Sequence, residues 1–343
     1  MNHLATNFNL WDLLDFSGQH PTSFDPRGLQ QLPDYTSPPT EYSISLTPKG
    51  YQPDFVIDIG RNLASLGLCD EEENSSKCQI LFQPSGEFEP SKLGVIFYGG
   101  ALVDPRGYSP IAHQLSQRYG LPVSVPIFEN DLAFDFTCNT RKVEAAGRAF
   151  PLVEKWVLAG HSVGGIAAMT DLFTILNKND TDIGGVEGSY NTTGSSSMDD
   201  IAGLALIGSY IRQDMGCGAV DFSGMDLPAA SIFADLDGVI NVMNWEKGQP
   251  LLPVNDTQRI NIIGGTHGHF GSYDDSERRT LLGQIDGNAT IPGTLQHDMT
   301  VATIVHVASR AGLPLPTKKQ KQSWSGESKN KSEKDGKKAK NNN

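Results

Sequence analysis

Six consecutive residues, Gly160-His161-Ser162-Val163-Gly164-Gly165, carry the most reactive arrangement in the chain. A serine hydroxyl is a weak nucleophile unless its side chain projects from a tight turn, within reach of a base and of hydrogen-bond donors. The apolar run Trp156-Val157-Leu158-Ala159 leads straight into this serine, and a small-residue pattern of helical spacing leads out. Gly160 and Gly164 leave room for a strained strand-to-helix turn, while Gly165, Ala167 and Ala168 let the next helix lie close to a sheet. The chemistry implied is attack of Ser162 on a carbonyl carbon, with helix N-terminal amides facing the negative charge that develops.

Such a serine needs a base and an acid to orient that base, and both follow in chain order. The apolar runs 201–207, 229–234 and 260–263 come after the elbow. The second ends in Asp235-Leu236-Asp237-Gly238, the third in Gly264-Gly265-Thr266-His267-Gly268-His269-Phe270-Gly271. Asp237 precedes a glycine at the turn that closes its strand, where a carboxylate can bend back towards a histidine. Asp235, two residues earlier, is the alternative acid. His267 is the first histidine after the glycine pair and lies nearest the strand end, with His269 the alternative base. Taken singly, these aspartates and histidines are ordinary loop and turn residues. Their joint placement behind a serine elbow is what gives them a chemical reading.

Upstream, Gly94-Val95-Ile96-Phe97-Tyr98 has the composition of a buried strand and runs into Gly99-Gly100-Ala101-Leu102-Val103-Asp104-Pro105. Adjacent glycines let backbone amides face a ligand. The expected oxyanion donors are Val163, directly after the nucleophile, and Gly100 or Ala101 from this loop.

Together these pieces resemble the α/β-hydrolase superfamily, in particular its dienelactone-hydrolase and carboxylesterase-like branch. The loop at 99–105 with Tyr108, the acid turn Asp237-Gly238 and the histidine segment at 264–273 are each similar to that branch, and the similarity spans about residues 81–311. The resemblance implies an α/β-hydrolase fold, with His267 as the catalytic histidine. One departure is informative: dienelactone hydrolases carry cysteine where Ser162 stands, which argues against a dienelactone substrate.

The elements that must position these groups are legible as alternating strand and helix patterns. They predict an α/β fold, a mostly parallel central sheet flanked by helices on both faces. Helices are expected around 109–119, 141–149, 165–176 and 298–310, with a further strand over 122–128. The segment Cys78-Gln79-Ile80-Leu81-Phe82 is expected to pair with Ser43-Ile44-Ser45-Leu46 as an opening antiparallel ribbon. One catalytic domain over residues 41–316 follows. An N-terminal extension (1–40), a surface insertion dense in Gly, Ser, Thr and Asn (177–200) and a Lys-rich disordered tail (317–343) lie outside it.

With 343 residues, 38% of them hydrophobic, the chain can bury a full core. Its net charge is −13, but the last 27 residues hold nine lysines against three acids, so the rest carries −19. An acidic body argues against nucleic acid as substrate, while the basic tail is suited to an acidic partner. No apolar run is long enough for a transmembrane span. The amino terminus lacks an export pattern, and Cys69, Cys78, Cys138 and Cys217 are expected to be reduced in a cytoplasmic protein. Neither H-E-x-x-H nor C-x-x-C spacing occurs, so no metal or cofactor is expected. The function these features predict is a serine hydrolase acting on a small-molecule carboxylic ester, lactone or thioester. An acyltransferase on the same serine and a non-catalytic binding protein of this fold are the other readings.

Overall fold

The computed structural model describes residues 36–69, 71–133, 142–177, 197–211, 220–277 and 284–319. Seven strands form one sheet: β1 (Gln79–Phe82), β2 (Leu93–Tyr98), β3 (Val123–Pro126), β4 (Lys155–His161), β5 (Ile201–Ile207), β6 (Ala229–Ala234) and β7 (Thr257–Ile262), in the order β1-β3-β2-β4-β5-β6-β7. Only β1 runs antiparallel, pairing Gln79 with Pro126 and Phe82 with Val123 on β3. All the other neighbours are parallel. Every residue of β2, β5 and β6 is buried, as strands covered on both faces require, and their continuous apolar runs are the sequence signature of that burial. β7, at the edge, alternates exposed and half-buried positions. For that reason its first half, Thr257-Gln258-Arg259, reads as polar loop and the sequence places the strand start too late.

Helices cover both faces. Alternate residues of β2 divide between two cores, Val95 and Phe97 in one and Ile96 and Tyr98 in the other. Towards the first point Ile57 of α2 (Asp54–Ser65), Ile111 and Leu115 of α3 (Ser109–Tyr119), and Val301, Ile304 and Val307 of α7 (Gly293–Ser309). Towards the second point Val143 and Ala146 of α4 (Lys142–Ala149) and the largely buried helix α5 (Val163–Asn177), with Trp245 of α6 (Val242–Gly248) at its border. α3 stops at Gly120, whose φ of +71° gives a left-handed cap. α7 starts five residues before the expected point, directly after Pro292.

Two expectations fail. Residues 43–46 belong to a short helix, α1 (Glu41–Leu46), not to a strand: the Thr40 side chain caps it by accepting from the Ser43 N–H, and Glu41 sits in its first turn. The Ser-Ile-Ser-Leu alternation mimics a period of two, but the buried Ser43 hydroxyl donates to Arg106 O, which anchors the helix against the body. Cys69 and Cys78 are not reduced but joined in a disulfide, with Cα atoms 5.7 Å apart. The chain between α2 and β1 folds back on itself, which a spacing of nine residues does not reveal. Cys138, Cys217, most of the insertion and nearly all of both terminal segments lie outside the described residues. At the described margins, Ser37 and Pro39 bridge to Val103 and Tyr273, and Lys318 bridges to Phe88.

The disulfide closes a short loop, for which loop-closure entropy gives about 3 kcal/mol of stabilisation. Replacing both Cys69 and Cys78 by serine is expected to lower unfolding free energy by about that amount. Denaturant titration of the parent and the double variant, each with and without a thiol reductant, checks it: reductant should shift only the parent's midpoint.

Candidate active site

The strand order reverses around β2 and β4, since β3 lies on one side of β2 and β4 on the other. Loops leaving the carboxyl ends of these two strands diverge, and such a switch point leaves a crevice in an open parallel sheet. The loop 99–104 leaves β2 there, and Ser162 leaves β4.

Ser162 has φ +55°, in the left-handed region that non-glycine residues rarely occupy. Its N–H donates to Ile207 O at 2.9 Å, and its carbonyl accepts from the Gly165 N–H at 3.0 Å, so the turn is held from both ends. Side chains cannot be accommodated on either side. A Cβ at Gly160 would collide with the backbone of Gly164, and one at Gly164 with the carbonyls of Tyr98 and Gly99. α5 begins at Val163, so the Val163 N–H belongs to the first turn, where amides have no intrahelical acceptor.

At the ends of β6 and β7, two candidates for each role separate. Asp237 Oδ2 lies 2.8 Å from His267 Nδ1, and neither side chain has any exposed surface. Because a carboxylate only accepts, Nδ1 carries a proton and donates, which leaves Nε2 as the nitrogen at which the ring can act as a base. That Nε2 is buried and has no hydrogen-bond partner among the described residues, the hydroxyl of Ser162 included. Asp237 Oδ1 accepts from the Val239 and Ile240 N–H groups at 2.9 and 2.8 Å, which fixes the carboxylate's direction. Asp235, the alternative acid, instead accepts from the Gly264 N–H. His269, the alternative base, faces Gly293 at the start of α7 and lies close enough to His297 to depress its protonation, an effect secondary to burial.

His161, which precedes the serine, is buried with its ring centroid 4.5 Å from that of His267. It also lies near Tyr108, whose hydroxyl is 3.0 Å from His161 Nδ1 and accepts from the Gly100 N–H at 2.8 Å. Of the three expected oxyanion donors, Gly100 is thus engaged by Tyr108. Ala101 is its buried neighbour at the bend of the same loop, and Val163 opens α5. The tie through Tyr108 has no local sequence signal, because it joins residues 53 positions apart.

A second set of contacts sequence reading misses holds the loop 99–104. Leu102, at φ +55°, donates its N–H to Asp131 O at 2.8 Å. Arg61 of α2 reaches over to Asp131 and Asp104 at 2.6 and 2.9 Å. Burial pushes the Asp131 carboxyl up to about 6, against the opposing pull of the Arg61 guanidinium. A carboxyl raised above its ordinary 3.8 adds stability when protonated, and that contribution is lost as pH rises through about 6. Removing the guanidinium enlarges this effect. Arg61→Met is therefore expected to cost about 3–5 kcal/mol at pH 8, and distinctly less at pH 5, where Asp131 takes up a proton. Urea unfolding at the two pH values measures the difference; an equal loss at both would contradict it.

Asp286 was also not anticipated. The residue is buried, at 7% exposure, and its carboxylate lies between the acid turn and the histidine loop. Burial tends to raise its proton affinity, but the nearby His267 and the N–H groups of Gly268, Gly238 and His267 outweigh this and hold it below the ordinary range. No helix among the described residues is long and apolar enough to cross a membrane. Nor do the described residues hold a group of three or more His, Cys, Asp or Glu suited to a metal ion.

Comparison with known proteins bears on this geometry. A family profile described as "Alpha/beta hydrolase family" matches residues 94–278, which contain β2 from its second residue, β3 to β7, Ser162, Asp237 and His267. No curated protein sequence matches the chain. Among solved structures it is similar to the native thermophilic esterase Est2 of the Planctomycetes species Thermogutta terrifontis, at 13% identity and TM-score 0.39, covering 68% of this chain and 89% of that one. It is also similar to ester-hydrolase EH1AB1 from the metagenome of Lake Arreo, at 16% identity and TM-score 0.41, covering 66% and 78%.

Proposed function

Since the chain belongs to the alpha/beta hydrolase family, we propose that it is a serine hydrolase cleaving a carboxylic ester, lactone or thioester of a small molecule through an acyl-enzyme. The observation carrying this reading is the fully buried Asp237–His267 pair, which leaves a lone pair on Nε2 with nothing to accept, at the same end of the sheet as the strained Ser162 turn. A buried imidazole acceptor without a donor is costly in a structural role. It is the state required of a general base before a hydroxyl proton arrives, and such bonds often close only with substrate bound.

In the proposed reaction, Ser162 Oγ attacks the carbonyl carbon as its proton passes to His267 Nε2. The imidazolium so formed is stabilised by the Asp237 carboxylate on Nδ1–H. The carbonyl electron pair moves to oxygen, which is met by the Val163 N–H and by an amide of the 99–104 loop, that of Gly100 or Ala101. Collapse expels the alcohol or thiol, which takes the proton from Nε2. Water then attacks the acyl-serine with His267 again as base, releasing the acid and restoring Ser162. Every proton is carried by this chain's own groups, and no cofactor enters. As to compartment, the Cys69–Cys78 disulfide favours an oxidising environment over the cytoplasmic one expected from sequence.

Two measurements test the reading. A fluorophosphonate probe is expected to label the parent and not Ser162→Ala; labelling of both, or of neither, rejects Ser162 as the nucleophile. On p-nitrophenyl esters of short acids, His267→Ala is expected to lose kcat by roughly three orders of magnitude or more, while His269→Ala stays within about tenfold. The opposite order would move the base to His269.

A further inference from the structure

The three side chains of the proposed triad are held by backbone segments far apart in sequence, and two of those segments converge on one further carboxylate. Asp286 Oδ1 accepts from the Gly238 N–H at 3.0 Å and from the His267 N–H at 3.2 Å; Oδ2 accepts from the Gly268 N–H at 2.8 Å. Its own neighbour, the Gly287 N–H, adds a contact to Oδ1 at 2.9 Å. Thus the amide directly after the acid, the amide of the base and the amide after the base all end on the same group. We propose that Asp286 is the positioning residue of the acid–base pair, a carboxylate clamp that keeps the Asp237 turn and the His267 loop in register.

The surroundings leave little alternative means of doing this. A Cβ at Gly238 would strike the carbonyl of Ile285, and one at Gly287 the carbonyl of Leu236, so the acid turn and the 285–287 segment touch backbone to backbone. The Leu236 N–H donates to Gly265 O and Leu236 O accepts from the Gly287 N–H, each at 3.1 Å, which ties the same three segments a second time. Four N–H groups point at Asp286, and a carboxylate, with two oxygens and no proton, is the side chain that can accept all of them. An asparagine there would keep one acceptor and set its NH2 against the N–H of Gly268. An alanine would leave the N–H groups of Gly238, His267 and Gly268 without that acceptor, while Gly287 would keep only Leu236 O. The ionised groups facing His267 are then Asp237 at Nδ1 and Asp286 at the backbone side, with the His161 ring lying against its ring. The Asp286 carboxylate touches no reacting atom, so its effect passes through the direction of the imidazole.

This inference rests on the serine hydrolase reading, and its test separates the two. Steady-state hydrolysis of a p-nitrophenyl ester is measured for the parent, Asp286→Asn and Asp286→Ala, on protein shown by circular dichroism to be folded at the assay temperature. Positioning predicts kcat lower by about tenfold in the asparagine variant and roughly 100-fold in the alanine variant, with KM within about twofold of the parent. Unchanged kcat in both folded variants, or a loss confined to KM, overturns it. The low-field proton resonance of the His267 Nδ1–H to Asp237 bond supplies a readout independent of turnover. It is expected in the parent, absent or displaced in Asp286→Ala, and partly retained in Asp286→Asn. A resonance identical in all three overturns the clamp even if the parent cleaves no ester. A parent inactive on esters with a displaced resonance supports the clamp and rejects the reaction.

Discussion

The rest of the molecule depends on one steric constraint, the close approach of the turn at Ser162 to the strand ends beside it. With φ at +55° and backbone atoms of Gly160, Gly164, Tyr98 and Gly99 in mutual contact, the turn exists only where no side chain intervenes. Strain of this kind costs of order 1–3 kcal/mol and persists only when the surroundings over-determine it. Here they do: β4 is hydrogen-bonded on both sides, to β2 and to β5, and is buried along nearly its whole length. The mostly buried α5 then starts at the next residue, so neither end of the turn can relax.

A second theme is that buried carboxylates organise the loops above the sheet. Asp237 faces two amides and an imidazole, Asp286 faces four amides, and Asp131 and Asp104 share Arg61. Burying an unpaired charge is prohibitive, and these groups remain inside because donors converge on them. The consequence is rigidity where the backbone lacks regular structure. The 99–104 loop, the acid turn and the histidine loop are each fixed by polar contacts from elsewhere in the chain. A site whose parts must meet within tenths of an ångström is better served by such contacts than by loop sequence alone.

The motifs around Ser162, Asp237 and His267 were legible because the turns that carry them constrain their neighbours. Glycines flank the serine since the turn admits nothing larger, and buried parallel strands write themselves as unbroken apolar runs ending in those motifs. Edge and surface elements left weaker marks. β7 begins in polar residues because one side of it meets solvent, and the helix at 41–46 alternates like a strand because it is too short to display a helical period.

What the sequence determined by itself, then, was the parallel sheet and the glycine-flanked turn at Ser162, both of which follow from local composition and period. Only tertiary structure showed that Asp237 rather than Asp235 meets His267 and that His269 lies against the start of α7 instead, because each pair is equivalent in composition and differs in which way a loop directs its side chains. The same holds for the Cys69–Cys78 bond, for Tyr108 over Gly100 and for Asp286 behind His267. Those contacts join residues brought together by folding, and a long-range hydrogen bond imposes no spacing that a linear pattern could reveal.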